Sequence, residues 1–131
     1  MVSNFDSEEY PLQEETSQII KIAYEKHREL GVGLLEIVYK DALEYEFQQG
    51  KIFYRREKLY EVLYKTVILN HHFFADFVIF DTVILEVKAK QGSISDDDHA
   101  KTINYLRISG CKVGLIINFG TSKLGIKRVI F

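Results

Sequence analysis

The sequence predicts an α/β domain, a mixed β-sheet flanked by helices, and three observations carry that prediction. Helical periodicity of apolar residues fills residues 12–49. The middle of the chain changes to β-branched and aromatic residues alternating with charges, as half-buried strands do. After one more helical stretch, Lys112–Phe119 is almost continuously apolar, the signature of a central strand covered on both faces. A chain of 131 residues with 47% hydrophobic and 13% aromatic content is long and apolar enough for one domain with its own core.

The elements follow in order. Residues 1–12 read as a polar arm closed by Pro11, leaving 13–131 as a single domain. From Leu12 to Leu30 the positions Ile19, Ile20, Ala23 and Tyr24 form a helical apolar stripe, which Gly31 and Gly33 end. A second helix runs from Leu34 to Gln49, with Leu35, Val38, Tyr39, Ala42, Leu43 and Phe47 expected inside and Gly50 in the place of a C-terminal cap. Strands are expected at Ile52–Tyr54, Leu59–Tyr64, Phe73–Phe80 and Val83–Ala89, with Asn70-His71-His72 as a turn. The aspartates of Ser93–Asp98 favour a helix start. That helix covers about Asp97 to Ser109, burying Ala100, Ile103 and Leu106, and Gly110 ends it. Lys112–Phe119 and an amphipathic strand, Gly125–Phe131, complete the order α-α-β-β-β-α-β-β.

Charge and cysteine content narrow the function classes. A net charge of −2 and a pI near 6.1 give no global basic field for nonspecific nucleic-acid binding, although a local basic rim is compatible with them. The lone Cys111 can form neither an intramolecular disulfide nor a thiolate metal cluster, which fits a reducing compartment. The acidic, polar N-terminus is unlike a secretory or mitochondrial leader, and no apolar stretch approaches membrane-spanning length. The expectation is a cytoplasmic protein without membrane contact.

The segment that carries chemistry is Asp76, followed across a hairpin by Glu86-Val87-Lys88. Alternation along a strand puts Glu86 and Lys88 on one face and Val87 on the other. Asp76 stands opposite Glu86 only if the hairpin is centred on Asp81, with an odd loop of about three residues; a two-residue turn at Asp81-Thr82 would set it opposite Val87. Two adjacent carboxylates repel, and a divalent cation such as Mg²⁺ or Mn²⁺ relieves that repulsion with the oxygen ligands it prefers. A lysine on the same face can orient or deprotonate a water, or neutralise charge at a reacting phosphate. Charged residues on one strand face are ordinarily just solvated. The apolar crowd of Val83, Ile84, Leu85 and Val87 around Glu86 argues instead for a buried carboxylate with a purpose.

Gly33-Leu34-Leu35-Glu36-Ile37-Val38-Tyr39 resembles the G-x-x-E-x-x-Y signature of the bacterial GxxExxY family, which belongs to the PD-(D/E)XK nuclease-like superfamily. The resemblance continues through Ala75-Asp76, Leu85–Ala89, Asn104-Tyr105-Leu106, Gly114–Gly120 and Ile126-Lys127-Arg128. It implies a restriction-endonuclease-like core (α-β-β-β-α-β) with Asp76 and Glu86 as metal ligands, Lys88 as catalytic lysine and Glu36 as a further acidic ligand. The implied activity is Mg²⁺- or Mn²⁺-dependent hydrolysis of phosphodiester bonds in nucleic acid, DNA favoured over RNA. Lys101 departs from the pattern: it stands where similar proteins carry Gln, four residues before Tyr105, and substitutes a cation that could meet a phosphate. Arg55 and Arg56, in the basic cluster Lys51–Lys58, are a second candidate contact to phosphates. The alternative is a catalytically weak nuclease fold that serves as a nucleic-acid-binding or homo-oligomeric assembly module. Weaker candidates are His71, His72 and His99 as ligands, and Lys123, Lys127 and Arg128 as a smaller basic group.

Overall fold

The computed structural model describes residues 11–131. The polar arm expected over 1–12 therefore lies almost wholly outside the described residues. The elements are α1 (Gln13–Leu30), α2 (Glu36–Gln49), β1 (Tyr54–Tyr64), β2 (Val67–Ile79), β3 (Val83–Lys88), α3 (Asp96–Ser109), β4 (Val113–Asn118) and β5 (Gly125–Ile130). The sheet order is β1-β2-β3-β4-β5, antiparallel except for the parallel pair β3–β4. Parallel neighbours need a crossover, and α3 supplies it.

Helices cover the sheet on two sides. Ile19, Ala23, Tyr39, Leu43 and Phe47 of α1 and α2 share one core with Phe77, Val83, Leu85, Val87, Leu115 and Ile117. Ile84 and Ile116, the alternate residues of β3 and β4, share a second core with Leu106 of α3 and Val129 of β5. The expectation of a central strand buried on both faces therefore holds for β4, and for β3 beside it. α3 approaches closely because Gly114 lacks a side chain: a Cβ there would fall 2.6 Å from the Thr102 methyl. The helix begins as its aspartates suggest. Ser95 and Asp98 exchange reciprocal side-chain-to-backbone bonds in a capping box, and Asp96 and Asp97 occupy the first turn.

Several sequence expectations are corrected. Asn70-His71-His72 is no turn but lies inside β2; the chain reverses at Lys65-Thr66, with Tyr64 opposite Val67. Here β1 and β2 extend beyond the rest of the sheet as a two-stranded ribbon, whose solvated faces tolerate histidines. The two segments expected at Ile52–Tyr54 and Leu59–Tyr64 are replaced by one edge strand that begins at Tyr54 and runs through Arg55–Lys58, with Arg55, Glu57 and Glu61 facing water while Ile52 and Phe53 lie outside it. Leu35 is 75% exposed and Val38 is also exposed, since α2 starts only at Glu36 and its buried stripe runs through Tyr39, Leu43 and Phe47. Tyr24 and Ala100 are exposed too, and Thr102 and Asp98 are buried on α3 in their stead.

Candidate functional site

The hairpin between β2 and β3 decides the geometry. Its loop is Phe80-Asp81-Thr82, three residues centred on Asp81, with φ of 57° at both Phe80 and Asp81. The register is Ile79↔Val83, Val78↔Ile84 and Phe77↔Leu85. One step further, Asp76 meets Glu86, as the odd loop requires. There the backbone ladder stops and the carboxylates take its place. The Asp76 N–H donates to Glu86 Oε2 at 3.0 Å, and the Val87 N–H donates to Asp76 Oδ2 at 2.8 Å. Beyond this point β2 stays paired with β1 and β3 stays paired with β4 through Lys88↔Asn118. The two strands part, and their acids sit in the opening.

From the helical layer, α2 brings Glu36 and Lys40, one turn apart on a shared face. Its Tyr39 is anchored inside: the hydroxyl donates to the Gly31 carbonyl at 2.6 Å and accepts from the Leu34 N–H at 3.3 Å, while the ring stacks on Phe119 at 4.6 Å. Gly33, with φ of 95°, allows the sharp entry into α2. Tyr39 so clamped fixes the phase of the helix, and Lys40 follows. Lys40 Nζ donates to Asp76 Oδ1 and to Glu57 Oε1, both at 2.8 Å, and lies 3.9 Å from Glu36 Oε2. Glu57 is a left-handed residue of the edge strand, with φ of 53°, between the pairs Arg56↔Phe77 and Lys58↔Ala75. Sequence reasoning missed both Lys40 and Glu57. The available signal was the i, i+4 relation of Lys40 to Glu36.

Burial and charge shape the titration of the group. Glu86 is only 6% exposed; burial first, and the Asp76 carboxylate second, push its pKa up to about 9. Glu36 is raised by partial burial and by Asp76. Tyr105, half-buried on α3, is pushed up to about 12 by burial and by the charges of Glu86 and Asp76. Lys88 acts on Glu86 in the opposite direction, favouring its ionised form. Its Nζ stands 3.9 Å from Asp98 Oδ1. Asp98 is itself fixed by Lys90 and by the Ser95 cap; burial opposes its charge, yet these bonds hold it down to about 2.

The remaining candidates fall away from this centre to differing degrees. Lys101 has a side chain 62% exposed, paired with Asp97 at 3.5 Å, one turn before Tyr105. Arg55 leans on the Phe53 ring and towards Asp81 at the hairpin turn. Arg56 is tied to Asp41 at 2.7 Å and Glu44 at 2.9 Å on α2, over the Phe77 ring. His71 and His72 sit exposed on the ribbon. Cys111 is buried, its thiol near the Asp81 carbonyl.

Among the described residues no three His, Cys, Asp or Glu side chains converge as a closed metal-holding group. Glu36 therefore stands at the rim rather than closing a triad with Asp76 and Glu86. The paired carboxylates still fit a hard divalent cation. Their donors are all oxygen, they crowd one another enough to raise Glu86, and Mg²⁺ is usually held by one or two carboxylates with waters or phosphates completing its shell.

A comparison with family models matches residues 13–129 to the PD-(D/E)XK nuclease superfamily. No curated protein matches the chain. The crystal structure of SSO0001 is similar, with a TM-score of 0.58 at 14% sequence identity, covering 91% of this chain and 59% of that one. At such low identity that likeness concerns the fold alone, and this chain spans little more than half the length of its neighbour. The family match spans nearly every described element, including the acids at the β2–β3 opening. The chain belongs to the PD-(D/E)XK nuclease superfamily.

Proposed function

We propose that this chain is a divalent-cation-dependent nuclease that hydrolyses phosphodiester bonds in nucleic acid, with DNA as the favoured substrate. The observation that carries this reading is the meeting of Asp76 and Glu86 where β2 and β3 part, with Lys88 on the same strand face as Glu86. Asp76 and Glu86 would hold Mg²⁺ or Mn²⁺, with Glu36 as the acid at the rim. When bound, the cation supplies acidification of a water and stabilisation of charge on the phosphoryl oxygens. Lys88 orients the attacking water and offers a positive charge to the developing phosphorane-like oxygens. Tyr105 closes the α3 side of the acids, while Lys101 presents its ammonium to a backbone phosphate from the next outward turn. Arg55 and Arg56 extend the basic rim along β1; Arg56 reaches a phosphate only by releasing Asp41 and Glu44. A cytoplasmic setting belongs to the same proposal, since a reducing compartment suits the free Cys111; among the described residues no helix is long and apolar enough to cross a membrane.

A second reading, an assembly or binding module with little turnover, has one observation in its favour. The β1–β2 ribbon exposes Leu63, Tyr64, Val67 and Ile68, an apolar surface suited to a second copy of the chain. Cleavage assays decide between the two. Wild type is expected to cut at least one of a panel of single- and double-stranded DNA and RNA substrates in Mg²⁺ or Mn²⁺. Lys88→Ala should lose roughly 10²–10⁴-fold in rate. Absence of cleavage by wild type on every substrate, or equal rates in the variant, would remove the enzyme reading.

A further inference from the structure

Both oxygens of Asp76 already have donors. Oδ2 accepts from the Val87 N–H and Oδ1 accepts from Lys40 Nζ, each at 2.8 Å. Asp76 Oδ1 is thus taken by a cation that the chain itself carries. Lys40 is only 7% exposed, an unusual position for an ammonium, and acids surround it: Asp76 and Glu57 in direct contact, Glu36 at 3.9 Å. Asp76, with Glu86 beside it, needs positive charge, and α2 provides it at close range.

From this arrangement we infer that Lys40 is an internal counter-ion which competes with the divalent cation for Asp76, so that metal binding is an exchange of one cation for another. The inference rests on the metal-site reading above and adds a positioning residue to it. The exchange has a built route. Glu57 and Glu36 are both half-exposed at the rim, and a lysine side chain has four rotatable bonds. The ammonium can leave Asp76 and remain bonded to Glu57, so it is never stranded in the interior. Until then it neutralises Asp76, which would otherwise face Glu86 with no cation between them. The consequence is a site that is stable without metal and that binds metal more weakly than its carboxylates alone would.

The test compares wild type, Lys40→Met and Lys40→Arg by calorimetric titration with Mn²⁺ and by thermal unfolding with and without it. Methionine keeps much of the buried chain but removes the charge; arginine keeps the charge. Lys40→Met is expected to bind Mn²⁺ at least about tenfold more tightly than wild type, since a unit charge within 4 Å of the ligand oxygen has gone. It should also melt at a lower temperature without metal and gain more from Mn²⁺ than wild type does. Lys40→Arg should bind no more tightly than wild type. If Lys40→Met unfolds in the absence of metal, Mn²⁺ should restore its fold; failure to do so at saturating Mn²⁺ would overturn the inference. Equal or weaker Mn²⁺ binding by Lys40→Met overturns it as well, and so does equal tightening in the arginine variant. Absence of Mn²⁺ binding in all three proteins overturns the metal site itself, and the inference with it.

Discussion

Glu86→Gln isolates the proton that the fold holds most visibly at the site. The carboxyl is buried against Asp76 and its pKa lies near 9, against an ordinary value of 4.5. Between these two values the folded chain keeps a proton that the unfolded chain has released. Stability changes with pH in proportion to the difference in protons bound, so it must fall as pH rises through this window. The contribution is fully present below about 4.5 and lost as pH passes about 9. Within the window the slope approaches tenfold in the folding equilibrium per pH unit, or about 3 kcal/mol between pH 6 and pH 8. Glutamine resembles the protonated acid: its carbonyl can still accept the Asp76 N–H, and it has no proton to lose. Urea unfolding at pH 6, 7 and 8 should show the wild-type midpoint falling by about 1–3 M relative to the variant. Parallel stability curves for the two proteins would refute the reasoning, because Glu86 would then be ionised in the folded state.

Other consequences follow from the same contacts. Binding of Mn²⁺ at pH 7 should release about one proton, because Glu86 must ionise to become a ligand; calorimetry in buffers of different ionisation enthalpy reads the number, and a value of zero would contradict the account. Tyr39→Phe should lower stability by about 1 kcal/mol in urea unfolding, since the partly buried Gly31 carbonyl and the Leu34 N–H lose their partner. Asp98→Asn should also cost about 1–2 kcal/mol at pH 7, through the capping box and the ion pair to Lys90. Its folded pKa is depressed to about 2, so that deficit should be present above about 3.8 and fade as pH falls through 2; a deficit independent of pH would contradict it.

How much was legible in the sequence depended on how local the cause was. Alternation along Val83–Lys88 placed Glu86 and Lys88 on one face, and the ten-residue spacing from Asp76 demanded the three-residue loop at Phe80–Thr82 that the structure contains. Ser95 and its following aspartates marked the start of α3. The misses among the strands and turns have a common origin in the long β1–β2 ribbon. A pair of histidines beside an asparagine has the composition of a turn, but ribbon faces open to water leave strand composition unconstrained. The true turn, Lys65-Thr66, carries no glycine, proline or asparagine to announce it. Lys40 was illegible for a different reason. Lysine on a helix is normally solvated, and only its contacts with Glu57 and with Asp76 at the parting of β2 from β3 turn its position into an interior one. Leu35 and Val38 were expected inside because they fit the helical period, yet Leu35 precedes α2 and Val38 stands on a side of it that no layer covers among the described residues.

The central claim is that Asp76 and Glu86 together hold a divalent cation. Crystals soaked with Mn²⁺ test it through the metal's anomalous scattering. The account predicts a peak within ligand distance of a carboxylate oxygen from each residue, in the opening between β2 and β3. Crystals that show no peak there at saturating Mn²⁺, or a peak held by other side chains, would contradict it.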